Sequence, residues 1–150
     1  MRILFVCNEY PPASHGGIGT FVFFMARQLS ARGHAVTVVG FDPTVEASGW
    51  EEEGVSVYRI RSPFRNMKGI RFARYELNPA FVLERMYLSK EVNRVVREKN
   101  VELVESYDWS GPLWSRPPVP LVVRLHGANT AHNIYEGLPV SRLLHYVEKR

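Results

Sequence analysis

The stretch that most restricts how this chain can fold is its first forty residues. Ile3-Leu4-Phe5-Val6-Cys7 is an apolar block without alternation, the pattern of a strand buried on both faces. His15-Gly16-Gly17-Ile18-Gly19 follows as a turn, and then Ile18, Val22, Met25 and Leu29 recur at three- and four-residue spacing as one stripe of an amphipathic helix. Gly33 stands where a helix takes a left-handed cap, and Ala35-Val36-Thr37-Val38-Val39-Gly40 reads as a second apolar strand. Strand, glycine turn, helix, strand is a βαβ unit, whose crossover is right-handed.

Glycine lets the backbone turn sharply and lets a ligand touch the main chain. The helix start behind it presents unpaired N–H groups and about half a positive charge, which attract an anion such as a diphosphate. Gly16, Gly17 and Gly19 lack the third spaced glycine of the full dinucleotide fingerprint. Spacing alone therefore leaves two uses open, an anion-binding turn and a turn that only reverses the chain.

The 150 residues suffice for one domain with a real core. No apolar run approaches the roughly twenty residues that cross a bilayer, and the opening strand is too short for a signal peptide. Cys7 is the single cysteine, which excludes an intrachain disulfide and fits a reducing cytoplasm. At the end of a buried strand it reads as core. Asp42 and Asp108 are the only aspartates, so there is no Asp-x-Asp pair to hold a divalent ion on a diphosphate. No zinc spacing and no Gly-x-Ser-x-Gly elbow is present, and we expect neither metal nor cofactor.

Residues 42–54 read as a polar loop whose Glu51-Glu52-Glu53 run is a solvated face. Val55-Ser56-Val57-Tyr58-Arg59-Ile60 alternates as a third strand, at an edge. Residues 61–75 read as a loop with Arg61, Arg65, Lys68, Arg71 and Arg74, continuing the positive charge that begins at Arg59. Phe64, Met67, Ile70 and Phe72 interleave with these charges. The segment suits an anionic acceptor, a peripheral membrane contact or simple solvation. No nucleic-acid reading motif accompanies it. Asn78-Pro79 predicts a helix start, with Phe81, Leu88, Val92, Val95 and Val96 on one face. Val101-Glu102-Leu103-Val104-Glu105-Ser106 is a fourth strand, and Pro120-Leu121-Val122-Val123-Arg124-Leu125 a fifth. Residues 138–150 have helical character.

The alternation predicts an α/β, Rossmann-like, three-layer, doubly wound parallel sheet with strand order 3-2-1-4-5. Ligands in such sheets sit beyond the carboxyl ends of the strands at the switch point, here between the first and fourth strands. The glycine turn, Tyr107-Asp108-Trp109 and His126-Gly127 all lie at carboxyl ends, so topology gathers them around one crevice.

Asn8-Glu9-Tyr10-Pro11-Pro12, Gly16-Gly17-Ile18-Gly19 and Leu29-Ser30-Ala31-Arg32-Gly33-His34-Ala35-Val36-Thr37-Val38 resemble the opening of family-4 retaining glycosyltransferases with the GT-B fold. Leu125-His126-Gly127 resembles that family's histidine motif. The resemblance covers residues 1–126, closely at both ends and loosely between. It implies transfer of a sugar from a nucleotide-sugar to a hydroxyl of a saccharide or lipid-linked acceptor, in a cleft between two Rossmann-like halves. Residues 1–150 would be the N-terminal, acceptor-side half, truncated, with the donor-binding half absent and the isolated chain inactive. By the resemblance, Gly16, Gly17 and Gly19 approach the donor diphosphate or the acceptor, His126 is catalytic and holds the donor sugar, and Asp108 and Glu9 bind acceptor hydroxyls. The single cysteine suits the cytoplasm, and Arg61, Arg65, Lys68, Arg71 and Arg74 suit either peripheral contact at the inner membrane face or a solvated loop.

Each role has a plainer competitor. His126 also suits a strand end with one ring nitrogen on a backbone carbonyl, Asp108 a local cap, and Glu9 a brace for the Pro11-Pro12 turn. Trp109 and Trp114 serve either as core or as a flat face for a sugar ring. His15, His34, His132 and His145 read as surface or packing residues. Two further readings remain: a non-catalytic acceptor-binding subunit that recruits a donor-binding chain, and the nucleotide-binding domain of another α/β enzyme.

Overall fold

A computed structural model describes residues 1–13, 16–42, 48–64, 70–72, 75–77, 79–140 and 142–149. Strand β1 (Arg2–Val6) leads into helix α1 (Gly17–Ala31) and strand β2 (Ala35–Phe41). Strands β3 (Ser48–Glu52) and β4 (Val55–Ile60) follow, then the short pair β5 (Ile70–Phe72) and β6 (Tyr75–Leu77) and helix α2 (Pro79–Glu98). Strands β7 (Leu103–Tyr107) and β8 (Leu121–Arg124) and helices α3 (Asn129–Tyr135) and α4 (Arg142–Glu148) complete the chain.

The main sheet runs β3-β4-β2-β1-β7-β8, parallel throughout except for β3. The five predicted strands stand in the predicted order, and β3 extends that order by one antiparallel strand. Residues 48–52 are therefore not loop. Glu53 and Gly54 both have positive φ, 50° and 76°, and form the two-residue turn that closes a hairpin and fixes its register. Asn-Gly or Asp-Gly would have announced that turn, whereas Glu-Gly does not. β4 consequently lies inside the sheet. The glutamate run is more than a solvated face: Arg27 on α1 pairs with Glu52, and with Glu53 at 3.1 Å. A second departure is the antiparallel pair β5–β6, in residues expected to be loop.

Side-chain alternation divides the core into two layers. Ile3, Phe5, Val36, Val38, Val55 and Val57 face α1, where Val22 and Ala26 meet them. Leu4, Val6, Val39, Ile60 and Val104 face α2, against Leu88, Val92, Val95 and Val96. A strand with successive residues in opposite layers must be apolar at every position, which is why β1 and β2 show no alternation. Helix α1 ends as its sequence requires. Gly33 takes φ 82°, its N–H donates to the Ser30 carbonyl, and that of His34 to Leu29. Asn78, the predicted cap of α2, lies outside the described residues.

Candidate functional site

Two turns at the carboxyl end of the sheet define the site. After β1 the chain passes through Asn8, Glu9 and Tyr10, and the Pro11–Pro12 peptide is cis. It then enters α1 with Gly16 as N-cap. Gly16 has no side chain with which to cap the helix, and the first-turn N–H groups of a helix have no intrahelical acceptor. Gly16 and Gly17 are exposed, and a Cβ on Gly17 would meet nothing within 4 Å. Gly19 is buried on the sheet side, a packing position that differs from the two glycines before it.

After β8 the chain turns through His126 and Gly127, the latter at φ 111°, where a side chain would be strained. Asp108, at the end of β7, accepts the His126 N–H through Oδ1 at 2.9 Å and the Gly127 N–H through Oδ2 at 3.3 Å. Glu9 does the same for the glycine turn, its Oε2 accepting the Gly16 N–H at 3.0 Å. Both carboxylates proposed from sequence as acceptor ligands thus hold the backbone of the turn that bears another site residue.

Phe21, one helical turn beyond Gly17, joins the two turns. The exposed His126 ring lies edge-on to Phe21 with centroids 5.5 Å apart, and the Arg124 guanidinium lies 4.4 Å from the Phe21 centroid. Glu105 fixes Arg124 through Nε–Oε1 and Nη2–Oε2 contacts of 2.6 and 3.3 Å. Arg124 and His126, two residues apart, thus both reach α1. The parallel order of β1, β7 and β8 therefore brings His126 and the start of α1 to one rim.

Beside this rim, a pocket of about 240 Å³ opens between the strand ends and α2, lined by Asn8, Glu9, Glu84, Arg85, Tyr107 and Trp109 among others. Arg85 donates to the carbonyls of Phe81, Ser110 and Gly111 and lies 3.3 Å over the Phe81 ring. Burial lowers its pKa to about 10, leaving it a cation at neutral pH. Burial also pushes the Tyr107 phenol above its ordinary range, with Cys7 and Glu9 adding to the rise. Ser110 has φ 58°, an uncommon conformation for a non-glycine residue. It is held on three sides: carbonyl to Arg85, N–H to Glu148, and hydroxyl to the Asn129 amide. Glu148 on α4 also accepts the N–H groups of Asn129 and Thr130 at the start of α3. Trp109 tilts against the His132 ring, with centroids 5.6 Å apart.

Sequence reading overlooked Arg59, Phe21, Arg85 and Glu148. Arg59 was counted with the basic loop, yet it is 1% exposed and its guanidinium donates to backbone carbonyls of the β1–α1 segment. The signal was present: Arg59 continues the inward parity of Val55 and Val57. Of the basic residues after it, Arg61 is exposed and Arg71 falls in β5. Arg65, Lys68 and Arg74 lie outside the described residues, as does His15. Among the described residues no three His, Cys, Asp or Glu side chains gather as a metal site, and no helix is long and apolar enough to cross a membrane.

Two similar proteins are named glycogen synthase, from Mycobacterium tuberculosis strains CDC 1551 / Oshkosh and ATCC 25618 / H37Rv. Each is 30% identical over 164 aligned residues, covering 99% of this chain and 39% of the relative. The chain thus spans well under half the length of these relatives. The family model for the glycosyl transferase 4-like domain matches residues 16–150. By that match, the chain belongs to the glycosyl transferase 4-like domain family.

Proposed function

We propose that this chain is the acceptor-side, N-terminal Rossmann-like domain of a retaining glycosyltransferase that moves a hexosyl group from a nucleotide-sugar to a saccharide hydroxyl. The observation that carries the proposal is the shared rim, with the exposed glycine start of α1 on one side and an exposed imidazole on the other, joined through Phe21. The exposed Gly17 N–H at the start of α1 binds the donor diphosphate and stabilises the charge that grows there as the nucleotide leaves, while Glu9 holds the Gly16 N–H and so fixes the turn. His126 hydrogen-bonds the donor sugar and holds it against the acceptor. The pocket beside the rim mixes carboxylates, a guanidinium, an amide and aromatic rings, a lining suited to a neutral polyol. The relatives' name supports a glucose polymer as that polyol. A separate, donor-binding half completes the site in this reading, so the chain alone does not turn over.

The test is to incubate the intact protein with a panel of nucleotide-sugars and a soluble oligosaccharide. Product and anomeric configuration are then followed by proton NMR. Elongation with retained configuration supports the reading, whereas inversion or simple hydrolysis contradicts it. The isolated chain should bind UDP and GDP weakly or not at all by calorimetry. Tight binding would favour a self-sufficient nucleotide domain, and saccharide binding without turnover by the intact protein a recruiting subunit. A cytoplasmic setting with peripheral membrane contact through the basic segment predicts retention on anionic but not neutral vesicles.

A further inference from the structure

We propose that Arg59 is a positioning residue for the glycine turn, holding Gly16 and with it the exposed start of α1 through the backbone of residues 7–10 and the side chain of Glu9. The inference rests on the reading of that turn as the part facing the donor diphosphate.

The arrangement begins with strand parity. Val55, Val57 and Arg59 point to the α1 side of β4, and Arg59 stands opposite Gly40 in the β2–β4 register. Gly40 has no side chain, which opens a path for the guanidinium across β2 to the end of β1. A Cβ at position 40 would lie 2.0 Å from the Cys7 carbonyl oxygen and 2.9 Å from Arg59 Nη1. Through that gap Nη1 donates to the carbonyls of Cys7 at 3.0 Å and Asn8 at 3.4 Å, while Nη2 donates to that of Tyr10. The guanidinium carbon also sits 5.9 Å from the Tyr10 ring centroid.

A buried guanidinium is stable only where acceptors meet its planar fork, so three carbonyls in place specify the backbone between them. Glu9 lies between two of those carbonyls and is the acceptor for the Gly16 N–H. Asn8 adds a tie back to the sheet, its Oδ1 accepting the Phe41 N–H at 2.9 Å. The path from Arg59 to Gly16 is therefore continuous, and Arg59 itself, inside the sheet, touches no ligand. Loosening it lowers the fraction of molecules whose turn is ready to bind and raises apparent KM by that factor.

The experiment compares Arg59→Met and Arg59→Lys with Leu88→Ala, a core deletion on the opposite face of the sheet, in the intact protein. Amide hydrogen exchange is read residue by residue at a temperature where circular dichroism shows each variant folded. Arg59→Met should accelerate exchange at Gly16, whose N–H is held by Glu9, and at Phe41, whose N–H is held by Asn8, at least tenfold more than in β7, and raise KM for the nucleotide-sugar at least tenfold with kcat within threefold. Arg59→Lys, which keeps a cation and three donors, should recover part of both effects, and it supplies the test should the Met variant not fold. Leu88→Ala should lower the melting temperature without selective loosening of the turn. Equal acceleration in the turn and β7, or selective loosening with unchanged KM, would overturn the inference. A wild-type protein inert toward every nucleotide-sugar, with the selective loosening intact, would count against the transferase reading and leave the clamp standing.

Discussion

Asp108→Ala separates a residue that binds acceptor from one that shapes the site. In the structure both Asp108 oxygens are taken by backbone, at 2.9 Å from the His126 nitrogen and 3.3 Å from that of Gly127. Hydrogen bonds to a charged group contribute about 1.5–3 kcal/mol each. Here the two exposed N–H groups can rehydrate, and the β7–β8 pairing persists through the bond from the Asp108 N–H to the Arg124 carbonyl. Stability should therefore fall by only about 1–2 kcal/mol, less than the two bonds would sum to if buried. For a chain of this size each kcal/mol lowers the melting temperature by about 2–4 °C, so a drop of about 2–8 °C is expected. Function should suffer far more. Without its anchors the His126 turn is free to shift, and a displacement near 1 Å can reduce turnover by about 100-fold. Asp108→Asn keeps one acceptor but turns an NH₂ toward one of the N–H groups, so it should fall between wild type and Asp108→Ala. The assays are thermal unfolding, steady-state kinetics of the intact protein, and amide exchange at His126 and Gly127. A loss confined to the acceptor KM, with both amides still protected, would refute this reasoning and make Asp108 an acceptor ligand.

Other perturbations test the frame behind the site. Gly40→Ala should destabilise by about 1–3 kcal/mol in urea unfolding, because its Cβ would collide with backbone that cannot withdraw; an unchanged midpoint would contradict the packing at the β1–β2–β4 ends. Leu88→Ala should cost about 2–5 kcal/mol, since the side chain is 1% exposed beneath the sheet. Burial pushes the Cys7 thiol from 9.0 up to about 11, so between those values the unfolded chain loses its proton first. Stability is then complete below pH 9 and falls as pH rises toward 11. Cys7→Ala should remove the part of that slope that begins at pH 9, leaving the loss above pH 10 that the raised Tyr10 and Tyr107 phenols add, and wild-type Cys7 should react with iodoacetamide at pH 8 only as fast as the protein opens.

How much of this was legible in sequence depended on whether the governing interaction was local. The buried block at β1, the stripe on α1 and the cap at Gly33 are periodicities within a few residues, and they led to the right strand order. The β3–β4 hairpin was missed because Glu53 carries its turn conformation without the usual Asn or Asp. Residues 70–77 were hidden among basic side chains that masked a short antiparallel pair. For the site, parallel topology was enough to bring His126 and the glycine turn to one end of the sheet. A local cap for Asp108 and a brace for Glu9 stood beside the acceptor roles, and the parity of Val55 and Val57 extends to Arg59, but the particular backbone partners could not be read. Those of Arg59 and Asp108 follow from register between strands distant in the chain, and register is fixed only when the whole sheet assembles.

Sugar transfer as proposed requires that the exposed ring at position 126 act on substrate, its edge contact with Phe21 orienting it rather than holding the fold together. His126→Ala in the intact protein tests it most directly, through kcat and melting temperature measured on the same preparation. An exposed surface residue contributes within about 0.5 kcal/mol to stability, while loss of a positioned hydrogen-bonding group at a reacting centre lowers kcat by about 100- to 1000-fold. Turnover should fall by that factor while the melting temperature stays within about 2 °C of wild type. Turnover at the wild-type rate, or a melting temperature that drops in step with activity, would contradict that requirement.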